Sequence, residues 1–94
     1  MTPEGKVKAD VKAYLTSLGT ACWWFMPTMT GYGRSGIPDF IVCYKGRFIA
    51  VEAKAPGKRD NLTPWQHKEL EAIHKAGGSN WVIDDVEALK RVLG

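Results

Sequence analysis

Cysteine is scarce in this sequence, and its two copies are isolated from each other. Cys22 and Cys43 lie in separate apolar segments, with no CxxC motif and no pair of histidines nearby. Disulfide frameworks and structural zinc sites need several such residues at close spacing. The sequence therefore excludes a disulfide-stapled domain and a zinc module, and it favours a protein of the reducing cytoplasm.

Long hydrophobic runs, internal repeats and low-complexity tracts are also missing. No apolar stretch approaches the roughly 18 residues that a membrane span requires, and the first residues are polar rather than typical of a signal peptide. The chain has 94 residues, of which 45% are hydrophobic and 24% charged, as in globular proteins. We expect one soluble domain over residues 1–94, with a single core and no membrane partner.

The excess of one charge sign is small overall but uneven along the chain. The net charge is +3; residues 1–60 hold nine basic and five acidic side chains, whereas residues 61–94 hold four and five. A mild positive excess permits a polyanionic partner such as nucleic acid without requiring one. The basic surface is expected on the first two thirds of the chain.

The pattern of apolar residues predicts seven secondary-structure elements. A helix begins at residues 2–3, where threonine as N-cap precedes proline at the first helical position, and it ends at Gly19. A second helix begins with the same pair at residues 63–64 and runs to about residue 76, and a third begins at residue 84 or 85. Strands are predicted at residues 21–26, 40–44, 48–51 and 81–83. The order α-β-β-β-α-β-α predicts an α/β fold, with a small mixed sheet flanked by helices.

The two central strands flank Lys45-Gly46, which is the pattern of a tight β-hairpin. With a two-residue loop, Asp39 lies directly opposite Glu52 on one face of the sheet. A three-residue loop with a bulge at Gly46 sends the two carboxylates to opposite faces, and a four-residue loop restores the shared face. Lys54 lies two residues beyond Glu52 and projects from the same face as Glu52.

Two facing carboxylates beside an ammonium group form a candidate hydrolytic site. Directly opposed like charges destabilise a sheet unless a cation neutralises them. Oxygen ligands with open water positions suit Mg²⁺ or Mn²⁺, which can hold a phosphate oxygen and lower the pKa of a bound water. Lys54 would orient that water or offset charge in the transition state. The alternative is an ordinary surface acid at the start of one strand and a Glu-Lys pair at the end of another.

The order of these parts resembles the VRR-NUC branch of the PD-(D/E)xK nucleases. The motif segments are GIPD at residues 36–39 and VEAKAPG at residues 51–57, with the hairpin between them. The segment LTPWQ at residues 62–66 and the Gly77-Gly78 pair are similar to the same branch, so the resemblance spans nearly the whole chain. It implies a restriction-endonuclease-like core and an enzyme that hydrolyses phosphodiester bonds.

The resemblance also implies individual site residues. They are, as metal ligands, Glu4, Asp39, Glu52 and the backbone carbonyl of Ala53, and, as catalytic residues, Asp39, Glu52, Lys54 and Gln66. For Glu4 and Gln66 the alternative is an ordinary residue in the first turn of a helix. Stand-alone viral and bacterial members resemble Holliday-junction resolvases and often act as homodimers. The implied protein is a cytoplasmic endonuclease of a bacterium or virus-infected cell, which uses Mg²⁺ or Mn²⁺ and no organic cofactor to cut four-way junctions or other structured DNA as a homodimer.

Basic and aromatic residues in the loops are candidates for DNA contacts. Arg34, Lys58 and Arg59 would contact backbone phosphates and Tyr32 would reach a base, although each is equally consistent with a solvated loop residue. The lysines at positions 6, 8 and 12 fit an ordinary wet helix face better than a DNA-binding stripe. The tryptophans are expected mostly in the core, with one exposed, and the apolar edge at residues 23–26 is the first candidate for a dimer interface.

Two rival functions remain open at this point. One is a module that binds branched or duplex nucleic acid on the same fold without cutting it. The other is a structural virion or scaffold protein, which only the small size favours. The intact set of Asp39, Glu52 and Lys54 argues against both.

Overall fold

The computed structural model describes residues 1–28 and 34–94, and its elements follow the predicted order. The helices and strands are α1 (Pro3–Ser17), β1 (Cys22–Phe25), β2 (Phe40–Tyr44), β3 (Arg47–Ala53), α2 (Pro64–Lys75), β4 (Ser79–Ile83) and α3 (Val86–Leu93). A short 3-10 turn, Gly19–Ala21, joins α1 to β1. The differences from prediction lie at strand ends, since β1 is shorter than residues 21–26 and β4 begins before residue 81. No described helix has the length and apolar character to cross a bilayer.

Side-chain caps explain where the helices begin. The Thr2 hydroxyl accepts a hydrogen bond from the Gly5 amide at 3.0 Å, and Asp85 caps α3 in a similar way. At the start of α2 the Thr63 hydroxyl accepts from the Gln66 amide at 3.1 Å, and the Gln66 side chain accepts from the Thr63 amide at 2.9 Å. This reciprocal capping box satisfies backbone donors that have no partner within the helix.

The four strands form one mixed sheet in the order β1-β2-β3-β4. Strand β2 is antiparallel to both β1 and β3, whereas β4 runs parallel to β3. A parallel pair cannot be joined by a tight turn, so α2 forms the crossover between β3 and β4. The predicted small mixed sheet flanked by helices is confirmed.

The hydrophobic core lies between one sheet face and the pair formed by α1 and α3. Alternate residues of β2 and β3 point towards this core, as strand geometry requires. The buried core residues include Val7, Val11, Leu15, Phe40, Val42, Ile49, Val51, Leu89 and Leu93. Burial of each large apolar side chain contributes roughly 1.5–3 kcal/mol, so the two strands that carry the predicted site residues are firmly held.

The prediction that the tryptophans lie mostly in the core is wrong. Trp23, Trp65 and Trp81 are 61%, 60% and 41% exposed. Trp24 is partly buried and packs against Phe40, with ring centroids 6.0 Å apart. Aliphatic side chains and Phe40 already fill the space between the sheet and the α1-α3 pair, which leaves little room there for more indole rings.

Candidate active site

The register of the β2-β3 hairpin brings Asp39 and Glu52 together. Tyr44 pairs with Arg47, so the loop contains only Lys45 and Gly46. Both loop residues have positive φ angles, 52° and 78°, which is the signature of a type I′ turn. The same register pairs Phe40 with Val51 at the far end, and one step further sets position 39 opposite position 52.

Asp39 is fixed by the strand opposite it. Its Oδ2 atom accepts a hydrogen bond from the Ala53 amide at 2.9 Å. The structure thus gives the Ala53 amide a defined contact at the site, whereas the predicted metal ligand is the carbonyl of the same residue. Since the Asp39 side chain remains 19% exposed, it lies at the mouth of the site and Glu52 lies behind it.

Glu52 has a buried carboxyl group that is not fully hydrogen-bonded within the described residues. The residue is 3% exposed, and its Oε1 atom accepts a hydrogen bond from Gln66 Nε2 at 3.3 Å. Its Oε2 atom is buried with no hydrogen-bond partner among the described residues. Burial first, and then the neighbouring Asp39 carboxyl, raise the pKa of Glu52 to about 8. Such an environment calls for a proton or a cation at this carboxyl.

Gln66 links the two buried ionisable groups to the start of α2. Its Oε1 atom accepts from Lys54 Nζ at 3.0 Å as well as from the Thr63 amide. Because an ammonium group can only donate, this contact turns the amide nitrogen of Gln66 towards Glu52. Lys54 is only 9% exposed, and one amide side chain thus orients both Lys54 and Glu52. The structure brings together the predicted residues Asp39, Glu52, Lys54 and Gln66.

Lys8 is a site residue that the sequence analysis placed on the wet face of α1. Its Nζ atom lies 3.2 Å from Glu4 Oε2 and 3.5 Å from Asp39 Oδ1. Burial lowers the pKa of Lys8, but Asp39 and Glu4 outweigh it and raise the pKa overall. The signal available in the sequence was the spacing of Glu4 and Lys8, four residues apart on one helix face.

The structure does not bring Glu4 together with Asp39 and Glu52. Across residues 1–28 and 34–94, no three acidic, histidine or cysteine side chains cluster as metal ligands. The Glu4 carboxylate is instead paired with the Lys8 ammonium, which also contacts Asp39. The structure therefore places Asp39, Glu52 and the backbone at Ala53 together, and Glu4 as a metal ligand stays a prediction.

The residues present fit a hard divalent cation. The Oε2 atom of Glu52, which accepts no hydrogen bond within the described part of the chain, and the half-buried carboxylate of Asp39 offer oxygen donors, and a cation between them would relieve their repulsion. Mg²⁺ is commonly held by one or two carboxylates, with waters and substrate phosphates completing the shell. A pair of carboxylates open to solvent therefore suits an exchangeable Mg²⁺ or Mn²⁺ ion better than it suits a structural metal that is fully enclosed by protein ligands.

The predicted DNA-contacting residues lie on two separate loops. Arg59 and the exposed Lys58 lie in the loop after β3, where Asp84 accepts a hydrogen bond from the Gly57 amide at 2.8 Å and lies 3.9 Å from Arg59 Nε. Arg34 is exposed and donates to Glu69 of α2 at 2.7 Å. Tyr32 lies outside the described residues.

Gly36, in the motif that precedes Asp39, packs directly on the start of α2. Its φ angle is +81°, and a Cβ atom at this position would overlap the backbone of Trp65 and lie 2.6 Å from the Gln66 nitrogen. Only glycine combines this conformation with so close an approach. The contact sets the distance between the loop that carries Asp39 and the helix that carries Gln66.

Comparison with known proteins gives the same family as the motif. No family model and no curated protein matches this chain. A solved structure described as a "VRR_NUC domain" matches with a TM-score of 0.75 and 28% sequence identity, over 98% of this chain and 95% of that chain. This likeness in fold and sequence extends over nearly the whole chain, and the motif residues converge on one site, so the chain has the fold and the motif arrangement of a VRR-NUC domain.

Proposed function

We propose that this domain is a metal-dependent endonuclease that hydrolyses phosphodiester bonds in DNA, with Mg²⁺ or Mn²⁺ as its cofactor. The observation that carries the proposal is the buried carboxyl of Glu52, which faces Asp39 and has one oxygen without a partner among residues 1–28 and 34–94. A merely structural pair of this kind would destabilise the sheet, whereas a metal-binding pair gains its stability when the ion is present. The likeness to a nuclease-type domain supports the same chemistry.

The residues of the chain then have distinct roles. Asp39, Glu52 and the Ala53 carbonyl would hold the divalent ion, which when bound supplies Lewis acidity to the phosphate and lowers the pKa of water. Lys54, held by Gln66, would donate a hydrogen bond to the attacking water or to the oxygen on which negative charge develops. Glu4 acts one step further away, through Lys8.

Structured DNA, and four-way junctions in particular, is the substrate class that we propose. Arg34, Lys58 and Arg59 would contact backbone phosphates on either side of the site. One carboxylate cluster cuts one strand, so symmetric resolution of a junction requires two sites, which a two-fold homodimer provides. Exposed apolar residues on β1 give this domain surface for such an interface.

A cleavage assay on a small panel of DNAs tests this function. Four-way-junction, flap and linear duplex DNA are incubated with the protein and Mg²⁺, Mn²⁺, Ca²⁺ or EDTA. We expect cleavage of branched DNA with Mg²⁺ or Mn²⁺ and none in EDTA. Binding of branched DNA without cleavage under any of these conditions would favour the binding module instead.

Two variants assign the roles within the site. Asp39→Asn should abolish cleavage and metal binding while the fold remains intact. Lys54→Gln should lower the cleavage rate by about 100-fold or more, the usual contribution of such a group, yet retain Mn²⁺ binding measured by calorimetry. Full activity of Asp39→Asn would refute the site, and a loss of metal affinity in Lys54→Gln as severe as in Asp39→Asn would refute the role of Lys54.

A further inference from the structure

Trp65 is a large aromatic residue exposed beside the proposed active site. Trp65 immediately precedes Gln66 in the first turn of α2, and it is 60% exposed. Of the three exposed tryptophans, Trp23 lies on β1 and Trp81 on β4, whereas Trp65 adjoins the residue that holds both Lys54 and Glu52. Single exposed apolar side chains are common on protein surfaces, so the feature to be explained is the position of Trp65 beside the proposed active site rather than its exposure.

Two basic residues share one shallow cavity with this indole. Arg34, Trp65, Lys68 and Glu69 are among the residues that line a cavity of about 320 Å³, which is at the lower end of the size range of ligand-binding clefts. Arg34 Nη2 donates to Glu69 Oε1 at 2.7 Å, and the Glu69 side chain is 12% exposed against 76% for Arg34. The partly buried carboxylate of Glu69 thus anchors the guanidinium of Arg34, whose other N–H groups can donate to an anion.

We propose that Trp65, Arg34 and Lys68 form a binding site for one unpaired nucleobase and its adjoining phosphate, next to the bond that is cut. This inference rests on the proposed function, because the nucleobase belongs to the DNA strand bound at the active site. An aromatic face stacks on any base, and the two cations complement the phosphates that flank that base.

The ligand is an unpaired base rather than a base pair. Inside a duplex both faces of a base are covered by its neighbours, so a protein aromatic reaches a base face only after the base is unstacked, which is unfavourable. A flap or a branch point already presents uncovered bases. The Trp65 site therefore gives this domain a physical means to prefer branched DNA over linear duplex without reading its sequence.

The test measures the affinity for two DNAs in EDTA, where no strand is cut. One is a blunt duplex and the other is the same duplex with a single-stranded flap. Trp65→Ala should weaken binding of the flap DNA by roughly 5- to 150-fold, the range expected for one stacked base, and change duplex binding by less than about twofold. Trp65→Phe should retain most of the flap affinity, and Trp81→Phe serves as the matched control and should match the wild type.

Tryptophan fluorescence supplies a second, independent readout. Flap DNA should quench the emission of the wild type and of Trp81→Phe, and this quenching should disappear in Trp65→Phe, a variant that keeps an aromatic ring even if Trp65→Ala fails to fold. Equal losses on flap and duplex, unchanged quenching in Trp65→Phe, or a change of oligomeric state in either Trp65 variant would overturn the inference. If the wild type cuts DNA and both Trp65 variants bind flap DNA as tightly as the wild type, this site alone is overturned. If the wild type neither binds nor cuts DNA, the proposed function is overturned as well.

Discussion

At the scale of single residues, burial and ionisation act against each other at Glu52. Its pKa in the folded protein is about 8, above the ordinary value of 4.5. Between these two pH values the folded protein retains a proton that the unfolded chain has released. The stabilisation linked to this proton is complete below about pH 4.5 and is lost as the pH rises towards 8.

The metal-free protein should therefore be less stable at pH 8 than at pH 6. We expect the melting temperature in EDTA to fall by several degrees over this interval, since about 1 kcal/mol shifts Tm by roughly 4–8 °C in a domain of this size. Glu52→Gln should remove most of the fall, because a glutamine does not ionise. Glu71→Gln is the control, as Glu71 is exposed on the same helix as Gln66. An equally steep pH dependence in Glu52→Gln would contradict the assignment of this effect to Glu52.

Lys8 places a positive charge where a metal ion would bind. Its ammonium lies 3.5 Å from Asp39 Oδ1, so it should repel a divalent cation held by that carboxylate. Lys8→Met removes the charge and keeps the length of the side chain, and it should raise Mn²⁺ affinity about tenfold, from the Coulomb energy at such distances in a hydrated site. Calorimetric titration of wild type, Lys8→Met and the exposed-lysine control Lys12→Met measures the change. An affinity that stays the same or decreases in Lys8→Met would show that Lys8 does not compete with the ion.

Glu52 and Lys8 differ in how far the sequence predicts their surroundings. The Asp39-Glu52 pairing follows from the two-residue loop, one of the three loop lengths that the sequence left open, and the register of the hairpin confirms that loop. The spacing of Glu4 and Lys8 predicts their pairing on α1, but the contact of Lys8 with Asp39 depends on how α1 packs against the sheet, which local sequence does not show. The exposure of Trp23, Trp65 and Trp81 was missed for the same reason, since composition does not show which sheet face a helix covers.

At the scale of elements, the loop before β2 and the first turn of α2 meet without a side chain between them. Gly36 provides this close approach to the Trp65-Gln66 backbone. The helix starts and the hairpin could be predicted because caps, proline and turn residues act within a few positions. The contact between Gly36 and α2 could not, because it joins segments about thirty residues apart in the sequence.

Gly36→Ala should lower the free energy of unfolding by more than the positive φ angle of this position alone explains. Gly19 is the matched control, since its φ of +66° is also positive but a Cβ atom there meets nothing within 4 Å. Gly19→Ala should lower the free energy of unfolding, measured in urea, by about 1–2 kcal/mol, which is the cost of the left-handed conformation. Gly36→Ala should lower it by clearly more, and it should also slow cleavage because Gln66 is displaced. Equal stability losses in the two variants would mean that α2 adapts to the added methyl group.

At the scale of the whole molecule, an apolar row crosses the sheet on the face opposite the core. Trp23 pairs with Cys43, which pairs with Phe48 across the hairpin, and all three are exposed. Phe25 lies on the same side of β1, with its ring centroid 5.4 Å from that of Trp23. The row includes Trp23 and lies beside Phe25, and so overlaps the segment at residues 23–26 that the sequence indicates for a dimer interface.

We expect this surface to be the homodimer interface. Each chain carries one candidate site and extends over 32 × 32 × 24 Å, so two cuts at symmetric positions of a junction would require a second copy. Light scattering at micromolar concentration should give a dimer for the wild type and for Trp81→Glu, and a monomer for Trp23→Glu. A wild type that stays monomeric both alone and with junction DNA would contradict the paired model, while a nicking or flap-cutting enzyme would still be consistent.

The capping box of α2 has a consequence for how the domain responds to heat. The side chain of Gln66 that closes the box also holds Lys54 and Glu52, so fraying of this one helix end disconnects the two buried groups from each other. Local opening of a helix end requires less free energy than global unfolding. The first turn of α2 should then set the temperature at which the geometry of the proposed active site fails, and this temperature should lie below the one at which the sheet melts.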